Sequence, residues 1–340
     1  MTKNQSPIKA LLVGIISILA LASLPVNAQD NNRGLIVSPA IFELSADRGG
    51  SYQFSLNVEN NSENEDYSLS PLAQTFTADN EEGNPTVSAI PEGSPLRNWI
   101  SFNESKYDIK KGQKAESKFT VNVPQETAPG SYYFAISYTT KLPALNEGTK
   151  VVLNKEVSAL LFVTVKGQIT RNVNFDSFTS YSQIVDPFFD GLNLNYKIKL
   201  EGNAYLKPSG NVFAGNNLES PDSTLTLNPN QKIILPNTGR NFTMQTNPTL
   251  DWGFLSFKPS SLPNKGEILK VSDVKVPWFG SQKFTAQVLY VNNDGSLDKK
   301  SAELQVFFFP WKTLLLVLSA IGLIAAGYYG YWYFARTKKI

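Results

Sequence analysis

Hydrophobic and polar residues alternate one for one through much of this chain. In Tyr52-Gln53-Phe54-Ser55-Leu56-Asn57-Val58-Glu59 every second position is apolar, and Phe119, Val121 and Val123 repeat the pattern against Lys118, Thr120 and Asn122. Successive side chains of a strand point to opposite faces, so a period of two marks a strand with one face buried. Leu192, Leu194, Tyr196, Ile198 and Leu200 alternate with Asn193, Asn195, Lys197 and Lys199, and Ala302, Leu304, Val306 and Phe308 form a last such set. No long 3.6-residue period interrupts them. Turn-forming clusters, Asn80-Glu81-Glu82-Gly83-Asn84 and Asn292-Asn293-Asp294-Gly295 among them, separate the runs. Short alternating strands divided by such turns predict an all-β chain of antiparallel, immunoglobulin-like sandwiches.

The pattern changes at both ends. Lys3 and Lys9 precede an apolar run from Ala10 to Ala22, followed by Pro25 and Val26-Asn27-Ala28 and then by polar residues. This order predicts a secretory signal peptide over residues 1–28, and Pro25 with the short run favours cleavage over an uncleaved anchor. Residues 313–334 are uncharged and apolar, long enough for a transmembrane helix. Tyr328, Tyr329, Tyr331, Trp332 and Tyr333 fill its last turns, and Arg336, Lys338 and Lys339 lie in or beside a short tail over residues 335–340. Interfacial aromatics and the positive-inside rule put that tail in the cytoplasm, giving a single-pass cell-membrane protein with its N-terminus extracellular.

A weak repeat divides the middle. Pro124 to Tyr138 and Pro277 to Tyr290 share a Pro, a Gly-Ser pair, a Phe four residues after the Gly, an Ala and a final Tyr. Two similar modules are expected, a first sandwich over residues 33–166 and a second over 167–309. In each, the Pro ends one strand and the Gly-Ser turn launches the next.

In the first module, Ile36-Val37-Ser38-Pro39, Phe42-Glu43-Leu44, Gly49-Gly50, Trp99-Ile100-Ser101-Phe102, Val121-Asn122-Val123-Pro124 and Pro129-Gly130-Ser131-Tyr132 resemble the N-terminal domain of WxL-interacting bacterial cell-surface proteins. Gly202-Asn203, Pro208-Ser209-Gly210, Leu235-Pro236 and Arg240 with Phe242 are similar to that family's second domain. The resemblance implies a bacterial envelope protein with tandem immunoglobulin-like domains, whose relatives bind peptidoglycan or host proteins at the cell surface. The shared positions are turn and core residues, so no binding residue is carried over.

Composition narrows the chemistry. The 340 residues include no Cys and no His. Thiol nucleophiles, Ser-His-Asp triads, disulfide frameworks, His-ligated haem and the usual zinc sites are therefore excluded. Six of the 31 basic residues lie in the terminal segments, which contain no acid, leaving 25 against 29 acidic ones and a net charge of −4 between them. That region has no basic stripe for nucleic acid.

Among motifs, Leu235-Pro236-Asn237-Thr238-Gly239 spells a sortase signal, yet it stands about seventy residues before the apolar segment. It reads better as a strand-turn-strand passage. The Asp79 to Asn84 and Asn292 to Ser296 clusters carry oxygen ligands without EF-hand spacing and read as hairpin turns, so no metal or cofactor is expected. Asp186 and Asp190, flanking Phe188-Phe189, and Glu201 are the carboxylates available for glycan hydrolysis, the least favoured reading. Trp252, Phe254, Phe257, Trp278 and Phe279 form a loop-rich aromatic group on which sugar rings would stack, with core packing as the alternative. Gly322, Ala326 and Gly330 fall on one face of the apolar helix, a small-residue stripe suited to self-association or to pairing with another membrane protein. The function expected is noncatalytic: an envelope protein, held in membrane lipid by one helix, that binds cell-wall glycan or another surface protein. The alternative is an accessory or scaffold subunit of a membrane complex.

Overall fold

A computed structural model describes residues 34–140, 155–251, 256–257, 272–291 and 295–337. The expected signal peptide, Trp252, Phe254 and the Asn292-Asn293-Asp294 turn lie outside the described residues. The first ten strands are β1 (Leu35–Ser38), β2 (Ile41–Ala46), β3 (Ser51–Asn60), β4 (Tyr67–Ala78), β5 (Pro85–Ala89), β6 (Ile100–Phe102), β7 (Tyr107–Ile109), β8 (Lys114–Asn122), β9 (Gly130–Thr140) and β10 (Glu156–Val165). They form two sheets, β1-β3-β8-β6 and β2-β10-β9-β4-β5, with β7 paired to β4. The alternation decides the facing: in β3, Leu56 and Val58 are buried while Ser55, Asn57 and Glu59 are exposed. Between the sheets, Phe42, Phe54 and Phe119 pack ring on ring at 5.5–5.7 Å. Trp99, only 1% exposed, lies 4.7 Å from Tyr132 and 5.6 Å from Phe134.

The second ten strands are β11 (Arg171–Ser180), β12 (Ile184–Val185), β13 (Leu192–Gly202), β14 (Ser209–Ala214), β15 (Ser223–Thr226), β16 (Thr238–Asp251), β17 (Ser256–Phe257), β18 (Ser272–Val276), β19 (Gly280–Val291) and β20 (Leu297–Phe308). Their sheets are β11-β13-β16-β17, with β18 beside β16, and β12-β20-β19-β14-β15. Leu192, Leu194, Tyr196, Ile198 and Leu200 all face one core together with Val212, Phe284, Val288, Val306 and Phe308. Neither sandwich has a disulfide, so apolar burial between the sheets holds both.

One expectation needs correcting. The sandwiches are not purely antiparallel, because β2 runs parallel to β10, β12 to β20, and β18 to β16. In each sandwich the first strand serves one sheet and the chain then crosses to border the last strand of the other. Two strands that both run toward the same end of a sandwich can only pair in parallel. Pro39, which has no N–H to donate, stands at the first crossing.

The repeat falls on equivalent strands. β9 lies between β10 and β4, and β19 between β20 and β14. Gly130 and Gly280 open these strands at φ values of +143° and +114°, in backbone space that favours glycine. Phe134 and Phe284 are both fully buried.

The chain then enters α1 (Trp311–Thr337), in which the stretch Trp311–Gly330 is long and apolar enough to cross a membrane and has no buried residue.

Candidate functional site

Two joints order the molecule, one between the sandwiches and one between the second sandwich and α1. At the first, Phe76, Ala135, Phe162 and Leu235 are buried in a separate apolar cluster flanked by Tyr133, Leu160, Tyr205 and Ile233. Phe162 meets the ring of Tyr205 at 5.1 Å. Around this cluster Ser131 N donates to Asn203 O at 2.7 Å, and Asn203 Nδ2 donates to Pro129 O at 3.1 Å. The Tyr205 hydroxyl donates to Glu43 at 2.8 Å, and Lys207 pairs with the same carboxylate. Burial by itself raises the Glu43 pKa, but the hydrogen bonds from Lys207 and Tyr205 outweigh it and hold the carboxyl below its ordinary value.

The cluster from Asp79 to Asn84 is the tip of the β4-β5 hairpin, as its sequence suggests. Asp79 Oδ1 accepts from Glu81 N and Gly83 N, at 3.1 and 2.6 Å, and Asn84 Nδ2 donates to Oδ2. These bonds hold the Asp79 pKa down, the bond from the Glu81 backbone most of all. The tip reaches the second sandwich, where Asn241 N donates to Glu81 O.

There it meets Leu235-Pro236-Asn237-Thr238-Gly239. Leu235 is buried in the inter-sandwich cluster, and Asn237 adopts φ +59° and donates its N–H to Leu200 O at 2.6 Å. Thr238 Oγ1 donates to Leu235 O, and β16 begins at Thr238. The sortase-like sequence is thus a turn between the sandwiches, as its position along the chain implies. Asn80, Lys197, Lys199, Glu201 and Gly239 line an open cleft of about 580 Å³ beside it.

At the second joint, Asp186 and Asp190 meet the start of α1. Asp186 is fully buried and its Oδ1 accepts from Phe188 N at 2.9 Å. Its Oδ2 accepts from Lys312 N at 2.8 Å and Thr313 N at 3.4 Å, in the first turn of α1. Asp190 accepts from Asp186 N at 3.0 Å and pairs with the Lys312 ammonium. The first N–H groups of a helix lack partners within it, and a carboxylate both satisfies them and faces the positive end of the helix dipole. The two acids therefore cap α1 and fasten it to the sandwich. Glu201, exposed on β13, is instead a partner of Asn172 at 3.2 Å.

Trp278 and Phe279 stand at the same end of the molecule. They are 57% and 52% exposed, so neither is a core residue. Their rings lie 5.9 Å apart, and Phe279 contacts Phe307 at 5.6 Å and Phe309 at 6.0 Å. A neighbouring cleft of about 540 Å³ is lined by Asn216, Asp222, Lys275, Pro277 and Gln282. Phe257 belongs to β17, and Trp252 and Phe254 lie outside the described residues. On α1, Gly322, Ala326 and Gly330 are not buried, and a Cβ built on either glycine meets nothing within 4 Å. Sequence spacing missed the cap, because its donor and acceptor are 126 residues apart.

No protein-family model matches the chain, and no curated protein matches it. Solved structures similar to it include the chaperone–tip adhesin complex of CFA/I fimbriae biogenesis, 12% identical, covering 80% of this chain and 98% of that one with a TM-score of 0.37. The class 5 fimbriae chaperone CfaA is 13% identical over 67% of this chain and 100% of its own, with a TM-score of 0.36. The E. coli chaperone DraB is 12% identical over 80% and 96%, with a TM-score of 0.33. With TM-scores below 0.5, these likenesses carry no argument about function.

Proposed function

We propose that this chain is a single-pass envelope protein whose two immunoglobulin-like sandwiches form a noncatalytic binding head outside the membrane, anchored by α1. The observation that carries the reading is the capped joint. It fastens the second sandwich to an unburied apolar helix through Asp186, Asp190 and Lys312. The basic residues at the helix's far end, including Arg336, favour the cytoplasm for that side, and the N-terminal pattern favours export of everything between. Binding is favoured over catalysis because the carboxylate pair best placed in sequence for hydrolysis is engaged in capping. The resemblance to WxL-interacting proteins supports cell-wall glycan or another surface protein as the ligand. Cross-linking of the full-length chain on intact cells tests this: capture of wall glycan or of a defined envelope protein is expected, and a head that captures neither overturns the proposal.

The bare small-residue face of α1 supports a second reading, an accessory subunit held in a membrane complex through that face. Replacing Gly322, Ala326 and Gly330 with Leu should then lower the native size of the solubilised complex or release a co-purifying partner. Unchanged size and partners remove this reading.

A further inference from the structure

The loop entering the penultimate strand of each sandwich provides an internal comparison. In the first sandwich the residues after Pro124 are Gln125-Glu126-Thr127-Ala128, and the end of the sandwich they border is covered by the second sandwich through Tyr133 and Phe162. In the second sandwich the residues between Pro277 and Gly280 are Trp278-Phe279. β9 and β19 occupy equivalent places, so the fold does not require an aromatic at this position. These two are nonetheless exposed, in ring contact with Phe307 and Phe309, and Ile184 and Phe189, 52% and 48% exposed, extend the apolar surface. Residues 277–281 and 305–311 carry no charged side chain. Of the acids at this end, Asp186 and Asp190 are occupied by the first turn of α1 and by Lys312, and Asp222 accepts from Gln282 Nε2.

We infer that this end of the second sandwich is itself a lipid-binding surface, seated in the headgroup layer of the bilayer beside the emerging helix. The inference rests on the membrane-anchored reading above and adds a contact made by the sandwich. Its occupant follows from continuity: the aromatic patch runs through Phe309 into Trp311, where the apolar stretch begins. Twenty helical residues span about 30 Å, the thickness of the hydrocarbon core. The headgroup layer adds about 5–7 Å on each side. A strand advances about 3.4 Å per residue, so with Trp311 at the inner edge of that layer Phe309 lies at most about 7 Å out, at its outer border. Phe279 packs against Phe309 and so sits at that level. Aromatic side chains favour this zone, where an apolar body and a polar edge are both accommodated.

The chain has no cysteine, so single introduced thiols report cleanly. Full-length Phe279→Cys, Ile321→Cys and Glu92→Cys, labelled with an environment-sensitive fluorophore, are reconstituted into phosphatidylcholine–phosphatidylglycerol vesicles. Quenching is read from water with iodide and from the bilayer with lipids brominated at shallow or mid-chain positions. The Ile321 probe should respond to mid-chain bromine. The Phe279 probe should respond to shallow bromine and be quenched by iodide severalfold less than the Glu92 probe. Ile184→Cys should repeat the Phe279 pattern with both loop aromatics intact. Iodide quenching at 279 and 184 equal to that at 92, with 321 still buried in lipid, overturns the inference alone. A probe at 321 that is open to iodide overturns the anchored reading and this inference with it. Protection at 279 that appears only with added peptidoglycan fragments, or only at high protein density in the vesicle, assigns the patch to glycan or to a second copy and equally overturns it.

Discussion

The two sandwiches share a plan and use their aromatic residues in opposite ways. Both place their first strand in one sheet and their second at the border of the other, and both open the penultimate strand with a Gly-Ser turn over a buried Phe. The first sandwich draws Trp99 into its interior against Tyr132 and Phe134, and it seals its exit end against the second sandwich. The second has no tryptophan in its described core and leaves Trp278 and Phe279 outside at the corresponding end. The difference shows that exposed aromatics in a repeated fold are informative where the sister module does without them. An aromatic required by packing would recur, whereas one that appears only in the module beside the apolar helix reflects what lies next to that module.

The contrast breaks most visibly at the two tryptophans. Trp99→Ala should destabilise the full chain by about 3–5 kcal/mol in denaturant unfolding, since truncating a buried large aromatic adds a cavity to the lost burial. Trp278→Ala should shift the same transition by less than about 0.5 kcal/mol, as expected for an exposed position. Equal losses would place both residues in cores and erase the distinction. Leu235→Ala tests the joint between the sandwiches. Removing its buried side chain should cost about 2–3 kcal/mol and increase hydrogen exchange at Leu206 and Ile234, which pair across the adjacent bridge.

Asp186→Ala sharpens the comparison at the other joint. The Lys312 and Thr313 amides would lose their acceptor, at a cost of about 1–3 kcal/mol. Spin-label distances between the second sandwich and α1 should broaden while those across the inter-sandwich joint stay narrow. The smallest effect concerns pH. The Glu43 carboxyl is held below its ordinary pKa when folded, so its contribution is complete above the unfolded value and is lost as pH falls through the lowered folded one. With both partners partly exposed, the loss should be under about 1 kcal/mol. Acidification below the usual carboxylate range should loosen the inter-sandwich joint, and Glu43→Gln should remove most of that response. An inter-sandwich fluorescence-transfer signal that titrates identically in the variant would assign the effect to other acids.

How much of this was legible in the sequence depended on the distance over which each feature is specified. The strand around Tyr52 to Glu59 is visible because its own neighbours carry the period, and the observed Ser51–Asn60 strand extends it by one residue at each end. The repeat pointed to the same strand of both sandwiches for the same local reason. The parallel borders were not legible, since the register of β2 against β10 couples residues about 120 positions apart. Asp186 and Asp190 were legible as two carboxylates four residues apart, but their partners, the Lys312 and Thr313 amides for Asp186 and the Lys312 ammonium for Asp190, were not. Trp278 and Phe279 were legible as candidates, but only the geometry separates them from the core.

The cap on α1 also has a temporal meaning. Asp186 and Lys312 are separated by nearly the whole second sandwich, and the contact between them exists only when β12 is paired beside β20. During synthesis the helix is made after both strands. Closure of the cap therefore registers that the intervening sandwich has folded with its ends in place. A chain whose second module has misfolded would present a helix with loose first-turn amides and a Lys312 without its carboxylate partner.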